Sequence, residues 1–431
     1  MMLHLAEAAP RPPGTEAIPV STLALYGVAL LVLVVAALTT TRPFIRVLRT
    51  PVVGALVGAG WLWLAFGAAI GPYGLDLLNT SMIDSLRPLF LIAIGWVGLT
   101  VGLQVTAPLL KAVPGRVWMW VAAELVLCGL VAALIVVGIA PRWMAVDHAE
   151  GAWIAMPVAI VAASLAGWNP ETRSMLVRPG DDERAMARMA TGAAGLCGVA
   201  AVLALGLVSQ VVVRDAAGTP IVSPPLGLAG LAAAAGLAVC AALALHLLLR
   251  RGDWSTSRTL VVVMSVSALA AGIATELAFS PLLATLLCGA AIANLPGRLK
   301  LSLWRLLSRS ERAVATILFI LAGALLVAPG ADWRWVLVLA GACVVTRVVL
   351  KPLLMRAVGV AREAREPNRR VLHALPARQS ALAVIVAVAA LMSEDSQIRR
   401  ELLMAIALAG AASAAWPLHV RMRAAREAVR A

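Results

Sequence analysis

Two carboxylates lie well inside long apolar runs: Glu124 in WVAAELVLCGL and Glu276 in GIATELAFSP. An ionisable group in such a run is costly to bury and marks a site by default. Glu276 lies four residues before Ser280-Pro281, so a helix end near water is its expected setting. Glu124 is deeper, and two readings stay open for it: a bundle-facing acid bonded to a neighbouring helix, or a carrier of protons. On the basic side, Arg347 and Lys351 stand four apart in VVTRVVLKPLL, on one face of a helix. Lys351 is expected to snorkel toward the inner surface. Arg347, a turn deeper, has less freedom and is expected to take an internal structural or site role.

Two further runs are interrupted. GAWIAMPVAIVAASLAGWNPETR contains Pro157 and ends on Trp168-Asn169-Pro170, and VLHALPARQSALAVIVAVAA contains Pro376, Arg378 and Gln379. A single proline in a membrane helix is usually a kink. Interruptions paired between two halves of a chain are a different signal, because unwound backbone offers carbonyls and helix-end dipoles to a solute at mid-depth. By contrast, TGAAGLCGVAAVLALG (residues 191–206) carries no charge, no amide and a single hydroxyl.

The elements that must position these residues follow from composition. Of 431 residues, 61% are hydrophobic and 13% charged, and the mean hydropathy is +0.92. That balance defines an all-α polytopic membrane protein. A helix needs about 20 apolar residues to cross the hydrocarbon core. Thirteen runs qualify or come close, centred near residues 30, 61, 96, 128, 159, 201, 236, 269, 288, 320, 345, 382 and 410. With the N-terminus outside, the connections and tail assigned to the cytoplasm hold 26 basic residues and those outside hold seven. The net charge of +14 is thereby explained by topology and by attraction to anionic lipid, and gives no support to nucleic-acid binding.

Other chemistries are excluded or unsupported. Cys128, Cys197, Cys240, Cys288 and Cys343 all fall inside apolar runs without a CxxC pair, which reads as buried inert thiols rather than a metal site or disulfide frame. The sequence holds no HExxH, Walker loop or GxSxG, and its five histidines are scattered, so no enzyme, metal or cofactor is expected. Residues 1–19 lack the basic and apolar regions of a signal peptide and read as a short Pro-rich tail. Gly54, Gly58 and Gly60 in GALVGAG permit close helix packing.

The order of landmarks resembles the cation:proton antiporter superfamily, the Kef-type and sodium/hydrogen exchangers, from about Val52 to Leu391. GPYGLDLL resembles the family's Gly-Pro turn after the second span. LFLIAIGWVGLTVGLQV resembles its third helix, with Gln104 where an acid is common. SPLLATLLCGAAIAN (280–294) is the most specific stretch. ERAVATILFILAGALL, VVTRVVLKPL with Arg347 at the family's basic position, and LPARQSALAVIVAVA follow in order. The resemblance implies an inverted-repeat, sodium/proton-antiporter-like fold with two interrupted crossing helices, the fifth and twelfth. It implies core spans near 117–213 and 333–420, scaffold spans elsewhere within a single domain of residues 20–420, and a basic tail from 421. Dimerisation through the scaffold is a family expectation. In the family an aspartate of the sixth span takes up either proton or cation. Here Cys197-Gly198 stand where Gln-Asp would be, and Glu171, Asp181, Asp182 and Glu183 read as part of the preceding loop.

The expected function is a secondary transporter exchanging Na+ or K+ for protons in a bacterial inner membrane, with the C-terminus cytoplasmic. Candidate ion-binding residues are Glu124, Asn169, Cys197, Gly198, Arg347, Lys351 and Gln379, with helix breaks at Pro157, Pro170 and Pro376. Two alternatives remain open from the residues. One is a transporter of an anionic or neutral solute, favoured by Arg347. The other is a transport-inactive sensory or scaffolding subunit of the same fold.

Overall fold

The structure, a computed structural model, describes residues 20–39, 60–135, 181–214, 220–222, 224–250, 256–277, 279–295, 299–326, 333–359, 381–393 and 403–410, with a few single positions between them. Apolar sequence that must satisfy its own backbone forms helix. The described chain is helical apart from turns and one two-stranded ribbon. In order the helices are α1 (Val20–Leu38), α2 (Trp61–Ile70), the short α3 (Thr80–Ser85), α4 (Arg87–Gly102), the short α5 (Ala107–Ala112) and α6 (Gly115–Ala133). Then come α7 (Asp181–Val211), α8 (Pro224–Arg250), α9 (Thr256–Glu276), α10 (Pro281–Asn294), α11 (Leu299–Ala324), α12 (Trp333–Val358) and α13 (Ala381–Ser393). Residues 403–410 are also helical. Twelve of the thirteen expected centres fall on these helices, and the fifth, near residue 159, lies outside the described residues. Strands Val212–Arg214 and Pro220–Val222 pair antiparallel between α7 and α8, with Val213 opposite Ile221.

Without water to drive association, membrane helices pack through small residues that let backbones approach. On α4, Gly98 and Gly102 lie against Leu282, Thr285 and Leu286 of α10, and Gly289 of α10 lies against the Leu99 carbonyl. A Cβ at any of these three glycines would fall inside the partner helix. α2 and α11 meet in the same way, Gly67 against the Ile320 carbonyl and Gly323 against that of Leu64. Gly60 has a further reason for its identity: it enters α2 at φ 78, and the Phe319 ring occupies the space a side chain would need.

The ends of α10 explain its resemblance-bearing sequence. Ser280 caps it by accepting from the Leu283 N–H at 3.4 Å, and Pro281 opens its first turn. At the other end Asn294 accepts from the Ala107 N–H at 2.8 Å and donates to the Val105 carbonyl at 3.0 Å, fixing the turn after α4. Glu276 is exposed at the last residue of α9, the helix end its position foretold. The run Asp181–Glu183, expected as loop, belongs to the first turn of the 31-residue α7.

Candidate functional site

Three helices turn narrow buried stripes toward one another. On α6 the buried positions are Val117, Trp120, Val121, Glu124, Cys128 and Ala132, the three-and-four spacing of one helix face. Met119, Val126 and Leu130 face outward. Glu124 therefore lies on the stripe that meets the bundle, with 3% of its surface exposed. On α7 the buried stripe runs Ala193, Cys197, Ala201, Leu205. On α12 it runs Trp335, Leu339, Cys343, Arg347, Lys351, Met355. α6 packs against both α7 and α12.

The stripes meet at Glu124. Its Oε1 forms an ion pair with the Lys351 ammonium, and its Oε2 accepts a hydrogen bond from the Cys197 thiol at 3.1 Å. One acid, one amine and one thiol thus tie the fourth, eleventh and sixth spans together. Lys351 is only 2% exposed. The snorkelling expected of it is overturned: a carboxylate inside the bundle is a better partner than the distant interface. Arg347 is buried as well, at 1%, one turn earlier on the same stripe. Cys128, one turn after Glu124, and Cys343, one turn before Arg347, complete the lining; Glu124, Lys351, Arg347 and Cys343 all lie within electrostatic reach of Cys128.

The thiols are only partly as expected. None is in a disulfide, but Cys240 is exposed on the outer face of α8, and Cys197 engages the site acid rather than being inert filler. Gly198 has a steric reason. A Cβ there would come within 2.9 Å of Leu382 Cδ2 on α13, so a side chain at the position where the resemblance seats an aspartate requires the tip of Leu382 to shift. Asn169, Gln379, Arg378, Pro157, Pro170 and Pro376 lie outside the described residues. Among the described residues, no group of three or more His, Cys, Asp or Glu side chains is placed to hold a metal ion.

Two features escaped the sequence reading. Glu401 is 4% exposed, just before the helical residues 403–410. An acid heading an apolar run was its only signal. The second is a π-helical turn, Thr346–Leu350, inside α12, in which the Lys351 N–H bonds to the Thr346 carbonyl five residues back. Its signal is Pro352.

The described helices, packed around a buried acid–amine pair, have the build of a polytopic membrane protein. Residues 174–416, more than half of the chain, match the family model described as "Sodium/hydrogen exchanger, transmembrane", and the chain belongs to that family of transporters, which are not enzymes. Its fold is shared with the sodium proton antiporter MjNhaP1 from Methanocaldococcus jannaschii, at a TM-score of 0.57 and 13% identity, over 94% of this chain and 99% of that one. The search of curated proteins finds no match. The chain is accordingly an integral membrane protein of the cation:proton antiporter superfamily.

Proposed function

We propose that the protein exchanges a monovalent cation, Na+ or K+, for protons, with Glu124 as the seat for which the cation and the Lys351 ammonium compete. The observation that carries this reading is the buried Glu124–Lys351 pair, anchored on its second oxygen by Cys197. A carboxylate held this way has one oxygen engaged by a neutral donor and one by a removable positive charge. A cation entering from either side takes the place of the ammonium on Oε1. Lys351 then gives up one proton, so the site keeps its charge: one cation is bound for each proton released. When the cation leaves, Lys351 takes a proton and closes on Glu124 again. A buried charge left without its partner is strongly disfavoured, which makes states with neither ion nor ammonium on Glu124 rare and couples the two fluxes.

In this reading α6, α7 and α12 belong to the moving core (spans near 117–213 and 333–420), and the α4–α10 and α2–α11 pairs to the scaffold. Asn169 and Gln379, in the interrupted spans, would supply amide oxygens to the cation. The charge distribution supports an N-terminus outside and a C-terminus in the cytoplasm of a bacterial inner membrane, and the family supports a homodimer built through the scaffold.

The test is proton flux in proteoliposomes carrying a pH-sensitive dye, driven by added NaCl or KCl. Native protein is expected to move protons in response to one of the two salts, and Glu124→Gln to give the background rate. An equal response from Glu124→Gln would remove Glu124 from the mechanism.

A further inference from the structure

We propose that Pro352 is a positioning residue of the site: it imposes the π turn of α12, and that turn aims the Lys351 ammonium at Glu124. This rests on the reading of the Glu124–Lys351 pair as the transport seat. The backbone argument comes first. In a regular helix the N–H of residue 352 would bond to the Val348 carbonyl, but proline has no N–H and its ring collides with that carbonyl. The helix must widen or break just before the proline. It widens: Lys351 bonds five residues back, to Thr346 rather than Arg347. Beside the turn, the Thr346 hydroxyl donates to the Ala342 carbonyl at 2.8 Å, a contact that favours local bending.

The consequence is rotational. Residues four apart slip by about 40° around a regular helix, because 3.6 residues complete a turn. From Cys343 to Lys351 that slip would reach about 80° and carry Lys351 off the site face. One extra residue in the turn returns about 100°. The packing of α12 shows the correction. Across the turn, Cys343, Arg347, Lys351 and Met355 stay buried while Val345, Val349 and Leu353 face outward, although twelve residues of regular helix would carry Met355 about 120° from Cys343. Without the π turn, position 350 would take the place of 351, since seven residues are close to two full turns. Leu350 would then face Glu124, and the lysine would turn aside.

That register shift makes the inference testable by exchange of two side chains. Four full-length proteins are compared: native, Pro352→Ala, the swap Leu350→Lys with Lys351→Leu, and the swap on the Pro352→Ala background. The first readout does not depend on transport. Dicyclohexylcarbodiimide activates the Glu124 carboxyl, a lysine amine in contact displaces dicyclohexylurea, and the resulting amide is located by peptide mass spectrometry. The second readout is salt-driven proton flux in proteoliposomes. Native protein is expected to cross-link Glu124 to Lys351. Pro352→Ala and the swap alone are each expected to lose at least five-fold in cross-link and flux. The swap on the Pro352→Ala background is expected to recover both to within two-fold, now through position 350. Native-like cross-linking in Pro352→Ala would overturn the proposal. So would equal cross-linking by the swap on the native background, a variant that leaves the proline in place. If the cross-links follow this pattern while no protein, native included, moves protons, the positioning role stands and the transport reading fails.

Discussion

Removing one member of the Glu124–Lys351 pair should cost more than removing both. The two side chains are 3% and 2% exposed, so neither charge has water to fall back on. Glu124→Gln keeps an acceptor for Cys197 but turns a neutral amide toward a buried ammonium. Lys351→Met leaves a carboxylate whose other partner is a thiol, a weak donor. Breaking a buried pair from one side typically costs about 3–5 kcal/mol. The double variant removes both charges of the pair, a replacement that is often near neutral, so it should lie within about 1 kcal/mol of native. The cycle then gives a coupling of several kcal/mol, against about 0.3–0.5 for independent sites. The assay is thermal unfolding in one detergent, at one scan rate and concentration, because membrane proteins of this size unfold irreversibly. The expected order of midpoints is native and double together, both singles well below. Transport should be absent from all three variants. A double variant as unstable as the two singles added together would refute the pairing as an energetic unit.

The remaining predictions concern the neighbours of that pair. Cys197→Ala removes a weak donor to a charged acceptor and should destabilise by about 1 kcal/mol, whereas Cys197→Ser, which keeps a donor, should recover most of the loss in the same melting assay. Gly198→Ala places its added carbon 2.9 Å from Leu382 Cδ2, the movable end of a side chain, and should lower stability by no more than about 1 kcal/mol. Adding Leu382→Ala should relieve that strain, so that Gly198→Ala is less harmful in the Leu382→Ala background than in the native one. Asn294→Leu removes the bonds from Asn294 to Val105 and Ala107 and should cost about 1–2 kcal/mol, with flux in the folded fraction unchanged.

Hydropathy and turn chemistry made the fold legible because each is local. The Ser280-Pro281 start of α10 is a cap and an N1 proline that any reading of the sequence can see, and the spans follow from apolar length. The site was legible only as separate residues. Glu124 and Lys351 each announce themselves by charge in an apolar run, but more than two hundred residues separate them, and nothing local says that they touch. Judged alone, Lys351 is best placed at the membrane surface; judged beside Glu124, it belongs in the bundle. The i, i+4 spacing of Arg347 and Lys351 assumed a uniform 3.6-residue period, which Pro352 alters in the very turn between them. Cys197 looked inert because a thiol in an apolar run usually is, and its role depends on an acid contributed by another helix.

The empty sixth span then has a physical account. The resemblance seats a carboxylate at position 198, on α7. In this protein the carboxylate reaches that neighbourhood from α6 instead, since Glu124 accepts its hydrogen bond from Cys197, the adjacent residue. A second acid at 198 would stand one residue from the thiol that already holds Glu124, and two carboxylates so placed raise each other's cost of ionisation. Gly198 carries no acid, and Leu382 Cδ2 lies 2.9 Å from where its Cβ would be. On the proposed reading, the silence of residues 191–206 and the presence of Glu124 in WVAAELVLCGL are two halves of one arrangement, in which α6 supplies the carboxylate that the resemblance seats on α7, with Lys351 as its partner.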